Sequence, residues 1–487
     1  MEDNIKTKVI SGLIWKFAER FIAQIVTFVV SIILARLLSP DEYGTIALVT
    51  VFIYIGDVFV VSGFGSALIQ KKDADNKDFS TVFFFNIVFS LVIYGILFGI
   101  APFVADFYGQ PVICNVLRVL GIRIPVAAIN SVQQAYVSRQ MMFRRFFWST
   151  LFGTLLSGVA GIWMAYAGYG IWALVAQYLI NACVDTLVLW CTVKWRPEWT
   201  FSLLRLKGLF QYGWKLLCSA LLDTGYNQLR NLVIGKLYTM DELAYYNRGE
   251  QYPSLLVTNI NASISSVLFP AIAQYQDDKE RVKQMTRRAI RISSYIMWPM
   301  MVGLGVAARP LISIMVTDKW LPCVPYLQIM CFTYGLWPIR TANLEAMKAV
   351  GRSDLFLKLE ILKKIIGIII LVVVMRYGVM AIAFSLIVFS VLSCFVNAFP
   401  NRSLLGYSYK EQLEDMIPSF LKALFMGLCI YPILFLEWGN LLTLIVQVLL
   451  GAIVYILVSF LFKDESFLYI LEYVKTIGSR KNHDGQE

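Results

Sequence analysis

The sequence predicts an all-α polytopic membrane protein of about fourteen transmembrane helices, with two pseudo-symmetric six-helix lobes around a central cavity and two C-terminal helices added. Three observations carry that expectation: the composition, the alternation of apolar runs with basic loops, and an internal repeat. Of 487 residues, 58% are hydrophobic and 15% are charged, with mean hydropathy +0.66. A soluble domain carries about 25% charge, and its interior could not house so large an apolar share. A chain whose outer surface faces hydrocarbon meets no such limit.

Apolar runs of spanning length lie near 11–35, 45–68, 79–105, 112–135, 147–168, 170–190, 211–235, 251–273, 289–308, 322–346, 355–375, 377–399, 418–436 and 440–462. Each is too long for a buried strand and ends in polar or Gly/Pro punctuation. Helix is therefore expected, because a helix satisfies its own backbone in lipid. The start, MEDNIKTKVISGLIWKFAERF, lacks a short apolar core followed by a small-residue cleavage site, so it reads as the beginning of a first span and not as a removed signal. Eight cysteines, at 114, 183, 191, 218, 323, 331, 394 and 429, sit mostly in apolar runs without a CxxC pair and read as packing residues.

The basic residues orient the chain. With the N-terminus inside, Lys6, Lys8, the 71–77 trio, Arg139, Arg144, Arg145, the 194–207, 279–291 and 348–364 clusters, Arg402, Lys410 and four tail residues fall in cytoplasmic segments. Of the 43 Lys and Arg, that places 29 inside, against six outside (Arg36, Lys236, Arg248, Arg309, Lys319 and Arg376) and eight within spans. So strong a bias supports an even number of spans with both ends cytoplasmic. The net charge of +11 then belongs to loops facing anionic lipid and not to a nucleic-acid surface.

Catalytic readings find little support. No loop before the tail has room for a nucleotide-binding domain, and GxxxxGK[ST], HExxH and GxSxG are all absent. The single histidine is His483, and no close Cys/His set suggests a metal or cofactor.

The repeat has an offset of 200. Arg36-Leu37, Ser39 and Asp41-Glu42 correspond to Lys236-Leu237, Thr239 and Asp241-Glu242, downstream of Trp15-Lys16 and Trp214-Lys215 respectively. Each copy is a long helix, a basic-then-acidic outer turn and another helix. Because six is even, two six-span halves share one topology and are related by an axis along the membrane normal. The expected organisation is 1–200 for the N-terminal lobe, 201–400 for the C-terminal lobe, 401–465 for two extra helices and 466–487 for a cytoplasmic tail. Two such lobes suit alternating access, whereas no repeated Gly-rich filter suggests a channel.

Charge inside hydrocarbon is costly and therefore informative. The first half carries Lys16, Glu19 and Arg20, then Asp57, Arg118, Arg123 and Asp185; the second carries Lys215, Asp223, Arg230, Arg340 and Glu345. Lys16 and Lys215 lie near cytoplasmic ends and can snorkel, and Glu19-Arg20 can form a structural pair. Arg118 and Arg123 are about 140° apart on one helix. Arg123 precedes Pro125, and Arg340 follows Trp337-Pro338 in the corresponding span, prolines that can bend a helix and free carbonyls. Two readings fit: a central cavity in which Arg118, Arg123 and Arg340 hold an anion such as phosphate, or a salt-bridge lattice joining them to Asp57, Asp185 or Glu345. Asp223 and Arg230, seven apart, share a face and suit either interhelical pairing or cation coupling. The amides and ring of Asn130, Gln133, Gln134, Tyr226, Asn227 and Gln228 could line a path for a sugar or glue helices together.

The segments SGLIWKFAERFIAQIVTFVVSIILARLLSPDEYG, DVFVVSGFGSALIQKKD and YNRGEQYPSLLVTNINASISSVLFPAIAQYQDD, spread over most of residues 8–400, resemble bacterial polysaccharide flippases of the multidrug/oligosaccharidyl-lipid/polysaccharide exporter superfamily, especially the O-antigen and colanic acid exporter type. The resemblance implies a fourteen-helix inner-membrane protein that moves an undecaprenyl-diphosphate-linked oligosaccharide from the cytoplasmic to the periplasmic leaflet, beside a polysaccharide polymerase and export machinery. It also implies coupling to Na⁺ or H⁺, for which Asp57, Asp185, Asp223 and Glu345 are the available carboxylates. The alternative is a drug or metabolite/cation antiporter of the same superfamily, which twelve spans would serve and whose cationic cargo the arginines would repel. A membrane acyl- or glycosyltransferase would need a carboxylate or His pair at a membrane-facing loop.

Overall fold

The computed structural model describes residues 2–436, 438–469, 471 and 472. The side chains of Lys6, Lys8, Lys16 and Arg20, and the tail from residue 473 with its His483, lie outside the described residues. Eighteen α-helices occur among those described. They are α1 (Glu2–Leu37), α2 (Pro40–Val61), α3 (Phe64–Gln70), α4 (Asn76–Tyr108), α5 (Val112–Leu120), α6 (Arg123–Arg139), α7 (Phe143–Tyr166), α8 (Ile171–Thr192) and α9 (Leu203–Leu237). Then follow α10 (Met240–Ala273), α11 (Lys279–Val306), α12 (Ala308–Val316), α13 (Val324–Gly335), α14 (Trp337–Ala349), α15 (Ser353–Val374), α16 (Val379–Leu404), α17 (Tyr409–Ile430) and α18 (Asn440–Leu461). Every apolar run of the sequence falls on helix, and ten helical segments are long and apolar enough to cross a membrane. Of the remaining runs, α9 and α15 carry several charges, and α13–α14 is divided in two. The chain is thus a multi-pass, all-α membrane protein.

The repeat is visible in its turns. Ser39 closes a capping box at the start of α2, its Oγ accepting from the Glu42 N–H at 3.4 Å while its own N–H donates to Glu42 Oε2 at 2.7 Å. Thr239 and Glu242 repeat the exchange at 3.2 and 3.4 Å. The local chemistry of S/T-x-x-E thus restarts the helix in both copies.

By packing, the chain divides into two compact units, Met1–Ala244 and Tyr245–Glu487. In the first, α9 lies along α2, α3 and α4. Gly63 makes this approach possible: its φ of +107° turns the chain between α2 and α3, and a Cβ there would stand 2.9 Å from the Gly213 carbonyl oxygen of α9. At one end of this unit the segments that the charge alternation assigns to one side lie together. Arg139 donates to the carbonyls of Leu68, Lys71 and Lys72 at 2.9, 2.7 and 2.6 Å. Buried Asp78 pairs with Lys71 at 2.7 Å and Arg205 at 3.2 Å, and Asn76 bonds Glu198.

The second unit is tied by a polar lattice between α11, α17 and the segment after α18. The Asp415 carboxylate, fully buried, accepts from Arg287 at 2.8 and 3.0 Å, from Arg291 at 2.6 Å and from the Tyr407 hydroxyl at 2.7 Å. Lys283 pairs with Glu411 at 2.8 Å, Arg291 with Glu465 and Lys422 with Asp464. Deeper in the unit, Asn343 donates to Gln412 at 3.0 Å and accepts from Asn401 at 2.7 Å, joining α14, α16 and α17 through buried amides.

Candidate functional site

In each unit one span is broken beside a proline, Pro125 in the first and Pro338 in the second. Pro125 has no N–H for the Gly121 carbonyl, which instead takes the Ile124 N–H at 3.0 Å, and the helix restarts as α6 with Arg123 as its first residue. Pro338 likewise leaves the Tyr334 carbonyl without its i+4 donor; α13 ends at Gly335, α14 begins at Trp337, and Arg340 stands in its first turn. An arginine therefore follows the kink in both. The N-terminus of a half-helix carries partial positive charge, so the restart favours an anion at the same place as the side chain does.

In the first unit Arg123 meets Asp57 of α2 at 3.1 Å, with side-chain exposures of 26% and 16%. Gly56 permits this contact, because a Cβ there would stand 2.5 Å from Ile124 Cδ1. Asp57 Oδ1 is buried and has no hydrogen-bond partner among the described residues, so the carboxylate is only half satisfied. The Gly63–Gly213 and Leu48–Gly235 contacts between α2 and α9 bracket Asp57 and place it at about the level of Asp223. Two turns beyond Asp223, Arg230 stands over the Tyr226 ring with 5.8 Å between guanidinium and ring centroid; Arg230 Nε and the Tyr226 hydroxyl are both buried without a hydrogen-bond partner among the described residues. Polar capacity is thus left over at Asp57 and, on α9, at Tyr226 and Arg230, where lipid could not supply it.

The remaining candidates of this unit are placed as follows. Arg118 donates from Nε to the Phe98 carbonyl at 3.3 Å and lies 4.3 Å from the Phe98 ring centroid. Asn130 donates to Asp185 at 2.6 Å, a pair between α6 and α8. Gln133 is fully buried and spends its N–H on the Trp195 carbonyl at 3.2 Å, whereas Gln134 is half-buried. Asp223 and Asn227 are exposed, and Gln228 accepts from Asn231 at 3.0 Å.

In the second unit Arg340 is half-buried, 5.9 Å from the Trp337 ring centroid, and its carbonyl accepts from Asn397 at 3.4 Å. Glu345 is buried and pairs along its own helix with Lys348 at 2.8 Å. Three further groups here escaped the sequence reading. Glu250 of α10 accepts from the Tyr334 hydroxyl at 2.7 Å, and the Tyr334 ring lies tilted against Trp337 with centroids 5.1 Å apart. Glu360 and Lys363 pair at 2.5 Å on α15, Lys363 being only 12% exposed and within electrostatic reach of Arg340. Counting Lys363 with the loop cluster hid it. Its place three turns into α15, just before the apolar stretch 365–374, was the available signal.

Spanning helices that are broken and keep charge at the break define a polytopic membrane protein with polar groups inside its apolar helices. A profile of the family described as polysaccharide biosynthesis protein matches residues 33–325. The chain belongs to that family. It is 26% identical over 400 residues to the succinoglycan biosynthesis transport protein ExoT of Rhizobium meliloti, covering 82% of this chain and 79% of the relative. To the teichuronic acid biosynthesis protein TuaB of Bacillus subtilis it is 23% identical, covering 86% of each; to the lipopolysaccharide biosynthesis protein WzxC of Escherichia coli it is 21% identical, again covering 86% of each. Its fold is shared with the lipid II flippase MurJ in an inward closed conformation, at TM-score 0.76 and 14% identity over 93% of this chain and 99% of that one. An inward-facing multidrug resistance MATE family transporter matches at TM-score 0.63 and 16% identity over 81% and 99%.

Proposed function

We propose that this protein is a lipid-linked oligosaccharide flippase of a bacterial inner membrane, moving undecaprenyl-diphosphate-linked glycan units from the cytoplasmic to the periplasmic leaflet for surface polysaccharide synthesis or export. The observation that carries the reading is the arginine after a proline kink in both units, in a chain whose relatives bear polysaccharide and transport names. Fourteen spans with both ends cytoplasmic, in two six-helix lobes and two added helices, are the architecture of this reading. Arg123 and Arg340, assisted by Arg118, neutralise the diphosphate. Asn130, Gln133, Gln134, Tyr226, Asn227 and Gln228 serve the glycan path, and the lipid tail stays in the bilayer. Rocking of the lobes then exposes the headgroup outward, driven by Na⁺ or H⁺ exchange at Asp57, Asp185, Asp223 or Glu345, with Arg230 setting the local field. A polymerase and export machinery receive the product. The closer fold likeness to a flippase than to a drug transporter disfavours the antiporter reading.

The test is binding of undecaprenyl-diphosphate oligosaccharide to the purified chain. Arg123→Gln and Arg340→Gln should each weaken it about tenfold or more, the worth of one charge-assisted phosphate contact, whereas the lysine variants keep part of it. Folded glutamine variants that bind like the wild type would overturn the assignment.

A further inference from the structure

The α11–α17 lattice leaves one cation over, and a pocket beside it. A cavity of about 360 Å³ is bounded by Gln284, Arg287, Arg288, Arg291 and Ile292 of α11 and by Glu465, Ser466 and Tyr469 after α18. Three arginines face it. Arg287 is held by Asp415 and Glu411, and Arg291 is shared between Asp415 and Glu465. Arg288 has no carboxylate within ion-pair distance among the described residues; its guanidinium instead lies 3.6 Å from the Tyr469 ring centroid. Glu411 also lies 3.7 Å from Arg287 but pairs with Lys283 at 2.8 Å, so Lys283, Arg287, Arg288 and Arg291 stand against Glu411, Asp415 and Glu465, and one positive charge is left over. Ser466 and Tyr469 supply hydroxyls on the opposite wall, suited to the remaining oxygens of a tetrahedral anion.

We propose that this pocket binds a phosphate group, independently of the transported headgroup. Its position fits the phosphate of an anionic phospholipid: it lies within the first turns of α11, which enters its apolar stretch just beyond, and its wall includes a tyrosine of the kind found at headgroup level. A soluble phosphate would use the same donors, and the experiment separates the two sources.

The full chain is reconstituted in nanodiscs of phosphatidylglycerol and phosphatidylcholine, extracted, and the phosphatidylglycerol retained per protein is counted by native mass spectrometry. In parallel, inorganic phosphate is titrated onto protein purified in neutral detergent. Arg288→Gln is compared with Arg288→Lys and with Arg281→Gln, which removes a charge from the same helix outside the pocket. Retained phosphatidylglycerol should fall about fivefold in Arg288→Gln, equivalent to about 1 kcal/mol, and hold in the other two. If inorganic phosphate binds and Arg288→Gln abolishes that binding while lipid retention is unchanged, the proposal stands with a soluble anion as ligand. Equal behaviour of wild type and Arg288→Gln in both arms, or equal losses in Arg288→Gln and Arg281→Gln, would overturn it.

Discussion

The Arg123–Asp57 pair can be tested as a structural contact and as a substrate contact in one double-mutant cycle. At 3.1 Å and an effective dielectric constant near 20, its gross attraction is about 5 kcal/mol. Desolvation of both groups offsets much of this, and their partial exposure lowers the cost of breaking the pair below the 3–5 kcal/mol of a fully buried one, to about 2 kcal/mol. Arg123→Gln leaves Asp57 with neither oxygen neutralised and should lose that amount; Asp57→Asn should lose a similar amount by stranding the guanidinium. The double variant removes both charges and should recover most of the stability. Equilibrium unfolding in detergent measures the four corners, and glycolipid transport is measured on the same preparations. The account expects the double variant to fold like the wild type and still fail to transport, because Arg123 is gone. Transport restored along with stability would refute the phosphate role of Arg123. Single variants as stable as the wild type would refute the energetic reasoning.

Four other outcomes follow. Ser39→Ala and Thr239→Ala should each cost about 1 kcal/mol, since each removes one capping hydroxyl of the same design, and unequal losses by thermal unfolding would break that equivalence. Asp415→Asn should cost about 3 kcal/mol by stranding Arg287 and Arg291; a wild-type unfolding midpoint would show that the lattice is not cooperative. Gly56→Leu should cost about 1–3 kcal/mol through overpacking against Ile124, and Ile124→Ala should rescue it. Asp75 lies outside the spans: burial pushes its carboxyl up, but bonds from the Asp78 N–H and Arg205 guanidinium outweigh that and hold it below the ordinary value of 3.8. Its stabilisation is therefore full above that value and lost as pH falls through the lower folded pKa, so Asp75→Asn should flatten the acid arm of a stability profile.

Much of this was legible because the signals are local. Apolar runs of about 20 residues fix helices in lipid whatever packs on them. Ser39-x-x-Glu42 and Thr239-x-x-Glu242 announce their caps, and Pro125 and Pro338 announce their kinks. Pairings over distance were not legible. The sequence offers Asp57, Asp185 and Glu345 to the arginines alike, and only packing through Gly56 decides that Arg123 takes Asp57 while Asp185 takes Asn130. The repeat divides the chain at residue 200, whereas contacts divide it at 244, because the Gly63–Gly213 approach seats α9 beside α2. Lys363 reads as a loop charge when counted by side, yet its helix continues on both flanks.

The central claim is movement of a lipid-linked glycan. Its most direct test is the leaflet accessibility of undecaprenyl-diphosphate oligosaccharide in proteoliposomes, with imposed Na⁺ and proton gradients, against protein-free vesicles and the Arg123→Gln and Arg340→Gln variants. The account predicts that glycan becomes accessible in the opposite leaflet with the wild type and stays protected with the folded variants. Glycan that remains in its original leaflet under every gradient, in vesicles that do carry a soluble cation across, would contradict it.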